Sequence, residues 1–286
     1  MLGQTWRAMS GTAAGALLAL VAVVATEPPI AGQPAILADG VVESTTGGFK
    51  FPDGSIQETA AGAGNPCPTL DPSDEMIEVG GVCVDKYEAS VWSQPDGGIQ
   101  YGVASDDYPC SNNGQDCDNI FARSVPGVTP SRFITWFQAQ AALANAGKRF
   151  PTNAEWQMAV LGTPDPGDNP GSEDCNTSSS GPEVTGEREN CVSRWGHHDM
   201  VGNLWEWVAD WGDNADNAAN CTSWASTFGG DLSCVGLGEG ETNNHFPGAL
   251  LRGGSWNEGA EAGPFAVHGL NRPSDTNTNY GFRGAR

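Results

Sequence analysis

The sequence predicts an α+β domain dominated by irregular structure, and three observations predict it. Charged residues make up only 17% of the chain, while 39 glycines and 19 prolines interrupt it too often for long helices. Two short helices are nevertheless signalled by complete capping boxes, at Thr135 and at Thr152. Ten Trp and ten Phe supply material for a core under so many loops.

Taken in order, the chain opens on an export signal. Arg7 gives a positive end, Gly11 to Ala25 form an apolar run, and Val23-Val24-Ala25 fit the small-residue rule for cleavage. Residues 1–25 are therefore expected to be a signal peptide, with the mature start near Thr26. The run falls short of the roughly 20 apolar residues that span a bilayer. An uncleaved N-terminal anchor is the alternative. No membrane insertion is expected after cleavage, which makes the protein exported: periplasmic, cell-surface or secreted. Residues 26–66 read as a stalk. The prolines of TEPPIAGQPA remove donors and fix φ. GGFKFPDGSIQ alternates around a Pro-Asp-Gly turn and suits a short hairpin, and AAGAGNP follows as a flexible linker. The globular domain is expected over 67–286.

Inside it, Thr135 with Gln138 caps WFQAQAALANA, and Gly147 stands where a left-handed C-terminal residue belongs. Thr152 with Glu155 caps AEWQMAVL, which Gly162 stops. Both helices are short and Ala-rich on one side, as expected for packing on a sheet. Two stretches, 163–196 and 212–248, consist largely of Gly, Pro, Asp, Asn and Ser. Loops of that size in a compact domain carry function or are held by ions and disulfides. Eight cysteines in an exported chain favour four disulfides. Of about a hundred connectivities the simplest pairs sequence neighbours: Cys67 with Cys83, Cys110 with Cys117, Cys175 with Cys191, and Cys221 with Cys234.

The net charge of −22, with only three lysines, argues against a nucleic-acid partner, because phosphates need a basic stripe. Adsorption to an anionic membrane is disfavoured for the same reason. The histidines His197, His198, His245 and His268 show no HExxH-type spacing, so nothing supports a catalytic zinc or iron site. Ser255 lacks the G-x-S-x-G context of a nucleophile elbow.

Four segments then stand out: EVGGVCVDKYEAS (78–90), GKRFPTNAEW (147–156), DMVGNLWEWVADW (199–211), and LRGGSW…GFRGAR (251–286). In that order and spacing they resemble the formylglycine-generating enzyme, or sulfatase-modifying factor, family. The resemblance implies a C-type-lectin-like fold with two short helices, short twisted strands and much irregular structure. It also implies a structural calcium ion, held by the side chains of Asp199 and Glu206 and the carbonyls of Gly202 and Leu204. Two carboxylates and two carbonyls at close spacing suit a hard cation. The alternative is that Glu206 pairs with an arginine, Arg252 or Arg283.

The family's oxidase chemistry relies on a C-x₄-C pair that binds copper through thiolates, the soft ligands Cu(I) prefers. Glu258 and Gly263 occupy those positions, so no copper is expected and formylglycine formation is not. The runner-up reading is nonetheless a periplasmic oxidoreductase or protein-modifying enzyme of this family. What replaces the cysteine pair resembles the variable region of diversity-generating-retroelement proteins, which share the fold and end in RGGSW…GFR. Framework positions there alternate with Trp256, Asn257, Glu258, Ala260, Glu261, His268, Asn271, Arg272, Asp275, Asn277 and Asn279. Such side chains on a rigid scaffold make an exposed binding face for a protein or glycan ligand. The expected role is a ligand-binding protein that lacks the catalytic pair.

Overall fold

The computed structural model describes residues 49–50, 56–57, 67–166, 174–214, 221–235 and 246–286. Two compact units divide it, Met1–Gly64 and Asn65–Arg286. In the first, β1 (Phe49–Lys50) and β2 (Ile56–Gln57) pair antiparallel across the Pro-Asp-Gly segment, with Phe49 opposite Gln57. The signal segment 1–25 and the rest of the stalk lie outside the described residues.

In the second unit, tight glycine turns set off short strands. Gly80 and Gly81, both at positive φ, close the hairpin of β3 (Met76–Val79) and β4 (Val82–Asp85). Strands β5 (Ser90–Gln94), β6 (Gly97–Tyr101) and β7 (Phe121–Arg123) form a three-stranded antiparallel sheet in the order β6-β5-β7. The main sheet has six strands: β8 (Trp205–Asn214), β9 (Thr222–Ser223), β10 (Leu232–Cys234), β11 (Phe246–Arg252), β12 (Val267–Asn271) and β13 (Tyr280–Phe282). Their order is β13-β8-β11-β12-β10-β9, with β13 parallel to β8 and β10 parallel to β12.

Both helices start where their boxes place them. α1 (Trp136–Asn145) and α2 (Asn153–Ala159) have Thr135 and Thr152 as N-caps, with Gln138 and Glu155 reaching back to the cap N–H. Gly147 and Gly162 follow at φ +69° and +85°. Each helix is tied to β8 by an indole. Trp136 Nε1 donates to the Val208 carbonyl at 2.9 Å, and Trp156 Nε1 donates to Glu206 Oε2 at 2.7 Å. Trp207, Trp156, Phe282 and Leu251 are fully buried around that junction.

The chain end closes the domain. Ala285 exchanges both backbone bonds with Arg149, and Arg286 exchanges both with Cys83. Beneath it Lys148 is buried and donates to Asp74 at 2.6 Å and Asp85 at 2.7 Å. All eight cysteines are paired, in the four pairs that sequence neighbourhood suggested. Among the described residues no helix is long and apolar enough to cross a membrane.

Candidate functional site

The segment after β11 separates by exposure into frame and face. Arg252 to Ser255, Ala262, Gly263, Ala266, Pro273 and Gly281 to Arg283 are buried. None of the eleven intervening candidates from Trp256 to Asn279 is. The frame is tight: a Cβ on Gly254 would fall 2.4 Å from that of Ala262, so only glycine fits.

Ser255 is the hub of the face. Its buried hydroxyl lies 2.9 Å from Asn257 Oδ1 and 3.2 Å from Glu258 Oε1, and accepts from Asn279 Nδ2 at 3.1 Å. Trp205, at the start of β8, donates its indole N–H to the same Glu258 oxygen at 3.1 Å. The Trp205 ring meets His268 edge to face, with centroids 5.8 Å apart. His268 Nδ1 sits 2.6 Å from Asn271 Nδ2, and Asn271 Oδ1 accepts from the Tyr280 hydroxyl at 2.7 Å. An amide N–H donating to Nδ1 requires a neutral ring protonated on Nε2. Burial lowers the His268 pKa and so favours that form.

Asn257, Glu258, His268, Asn271 and Asn279 are thus brought into one network. Ala260 and Glu261 stand beside it on a 3₁₀ turn, Gly259–Glu261. Arg272, Asp275 and Asn277 form the turn between β12 and β13, where Asp275 Oδ2 accepts from the Arg272 N–H at 2.9 Å. Two polar atoms are buried there with no partner among the described residues, a donor at Trp256 Nε1 and an acceptor at Asn279 Oδ1. Unspent groups of this kind are expensive to leave unpaired unless a ligand or water takes them.

The model of the sulfatase-modifying factor enzyme 1-like domain matches residues 102–286. The chain belongs to this family. Its relatives differ widely in what surrounds the domain. A serine/threonine-protein kinase Pkn1 of Chlamydia caviae is 28% identical over 163 residues, 54% of this chain and 23% of that protein. The tail fiber receptor-binding protein of Bordetella phage BPP-1 is 23% identical over 257 residues, 83% of this chain and 61% of that one. The formylglycine-generating enzyme of Thermomonospora curvata is 34% identical over 101 residues, 29% of this chain and 33% of the enzyme. Among solved structures, the M1 variant of Major Tropism Determinant aligns with a TM-score of 0.48 at 24% identity, covering 76% of this chain and 53% of that one. The chain therefore spans less than a quarter of the kinase relatives and under two thirds of the phage protein.

Two further residues of this segment are closely packed. Glu258 is bound to Trp205 and Ser255. A Cβ on Gly263 would fall 2.1 Å from Asp231 Oδ1, so the carboxylate of Asp231 occupies the space a side chain there would need.

Of the residues the resemblance assigns to calcium, Glu206 is bound by protein groups: Arg283 reaches both its oxygens, its Nε lying 2.7 Å from Oε2, and Trp156 Nε1 donates to Oε2 as well. Arg283 is thus the arginine partner that the sequence offered Glu206 as an alternative. Asp199, at φ +57°, accepts the Gly186 N–H at 2.7 Å. Burial pushes its pKa up to about 7 against the lowering effects of that N–H and of Arg283. The Leu204 N–H donates to Glu88 Oε1 at 2.9 Å. Glu88 is a third buried carboxylate here, raised well above its usual range by burial and then by Asp199 and Glu206. Sequence reasoning missed Glu88 because its partners lie more than a hundred residues away. It also missed Trp205 and Tyr280 as members of the face. Trp205 is a core residue, 3% exposed, with its indole N–H turned to Glu258.

Proposed function

We propose that this protein is an exported ligand-binding module that engages a protein or glycan through the 256–279 face. One observation carries the reading: every candidate contact residue in that segment reaches solvent, while Arg252 to Ser255, Ala262, Gly263, Ala266, Pro273 and Gly281 to Arg283 around them are buried. Such a division lets side chains change without disturbing the fold. Half-buried His268 and Trp256 supply flat area to that face. The similarity over 83% of the chain to a tail fiber receptor-binding protein supports the same role. Four disulfides fit an oxidising compartment, and hence export.

The test is a binding screen of the purified protein against cell-surface proteins and glycans, repeated with Trp256→Ala and His268→Ala. Binding that survives both substitutions would place the interaction elsewhere. Sequencing the gene's 3′ end across a population tests whether the face is diversified. Variation confined to codons of the eleven positions supports that, and a uniform sequence leaves a fixed specificity.

A further inference from the structure

Beside the face lies a pair of carboxylates that the binding reading does not use. Asp231 ends the turn after Ser226–Phe228 and is 0% exposed. Gly229 and Gly230, at φ +72° and +75°, fold the chain back sharply enough to bury it. Its Oδ2 accepts the Phe265 N–H at 2.6 Å, but its Oδ1 is buried with no partner among the described residues. The neighbouring cation, Arg252, spends its guanidinium on Asn153, Gln157 and the carbonyls of Pro264 and Ala266. A buried carboxylate oxygen without a donor is costly.

Asp165 approaches the same spot from another loop. A Cβ built on Gly229 would fall 2.1 Å from Asp165 Oδ2 and 2.7 Å from Asp231 Oδ1, so both oxygens converge on the gap that glycine leaves. Two ligands of one calcium ion, each about 2.3–2.6 Å from it, lie at most about 5 Å apart. Oxygens 2.1 Å and 2.7 Å from a common point meet that condition.

We propose that Asp165 and Asp231 form a site for a hard divalent cation, calcium by its oxygen ligands, which pins the 221–234 loop to the edge of the binding face. The ion adds positive charge to that of Arg252, whose hydrogen bonds are all made elsewhere. It fixes the loop bearing Trp224, whose indole N–H donates to the Phe265 carbonyl at 3.0 Å, just before His268 on the face. The site is independent of Glu206 and lies in a different part of the sheet.

Calcium binding to the metal-stripped full chain tests this by equilibrium dialysis, alongside Asp231→Asn and the exposed Asp165→Asn. Each variant should bind one calcium fewer than the wild type, or bind it at least tenfold more weakly. Calcium should raise the wild-type melting temperature more than that of either variant, and without calcium Asp231→Asn should melt no lower than wild type. Unchanged stoichiometry in both variants would overturn the proposal. So would Asp231→Asn melting lower by the same amount with and without calcium, since that marks a purely structural carboxylate. A wild type that takes up no calcium at this pair and is stabilised there only by acid would show that a shared proton fills the gap instead.

Discussion

Single residues decide the electrostatics of this domain. Glu206 is bound by Arg283 and Trp156, so it anchors β8 to residues 283–286. Glu206→Gln leaves a buried guanidinium uncompensated and should cost about 3–5 kcal/mol. Urea unfolding measures it, and the loss should be equal in calcium and in EDTA. A loss seen only in calcium would mark Glu206 as a ligand. His268 gives a pH prediction. Its folded-state pKa lies below the ordinary 6.5, so the unfolded chain takes up the proton first as pH falls. Its share of stability is complete above pH 6.5 and is lost progressively below it. His268→Gln should therefore flatten the fall in melting temperature between about pH 6.5 and pH 5, while the slope from His197 and His198, whose pKa values burial also lowers, remains.

At the scale of elements, each helix was legible because its start is written within four residues. A Thr that caps and a Gln or Glu that caps back act locally, and both boxes formed as the sequence implied. The strands were less legible. β9, β10 and β13 are two or three residues long, too short to show a period of two. The turn at Gly263 leaves no room for a side chain. Gly263→Cys would force a side chain into Asp231 and should destabilise the domain by about 1–3 kcal/mol. Asp231→Ala in the same chain should return part of that loss. A double-mutant cycle checks the coupling, and additive effects would mean the two positions do not touch.

The second unit is closed by residues 284–286. Gly284, Ala285 and Arg286 bond through their backbones to Asp85, Arg149 and Cys83, joining the β3–β4 hairpin to the stretch between the helices. These make five backbone bonds, each worth about 0.5–1.5 kcal/mol net. Deleting the three residues should therefore remove much of a stability that is typically about 5–15 kcal/mol. Thermal unfolding of the truncated chain checks this, and an unchanged melting temperature would show that the clasp is dispensable.

By itself the sequence determined what depends on neighbours in the chain. The helix starts, the glycine turns and the cysteine pairs no more than 16 residues apart were all readable there. Local backbone preference and short loop closure act over such distances. Only the tertiary structure decided which charges meet. Glu206 finds Arg283 across 77 residues and Glu258 finds Trp205 across 53. Asp231 fills the space beside Gly263 because β10 and β12 run side by side in the sheet. A carboxylate suits calcium, arginine or indole equally well on paper. Burial makes the choice, because a charge taken from water must be satisfied by whatever the fold places within hydrogen-bond reach.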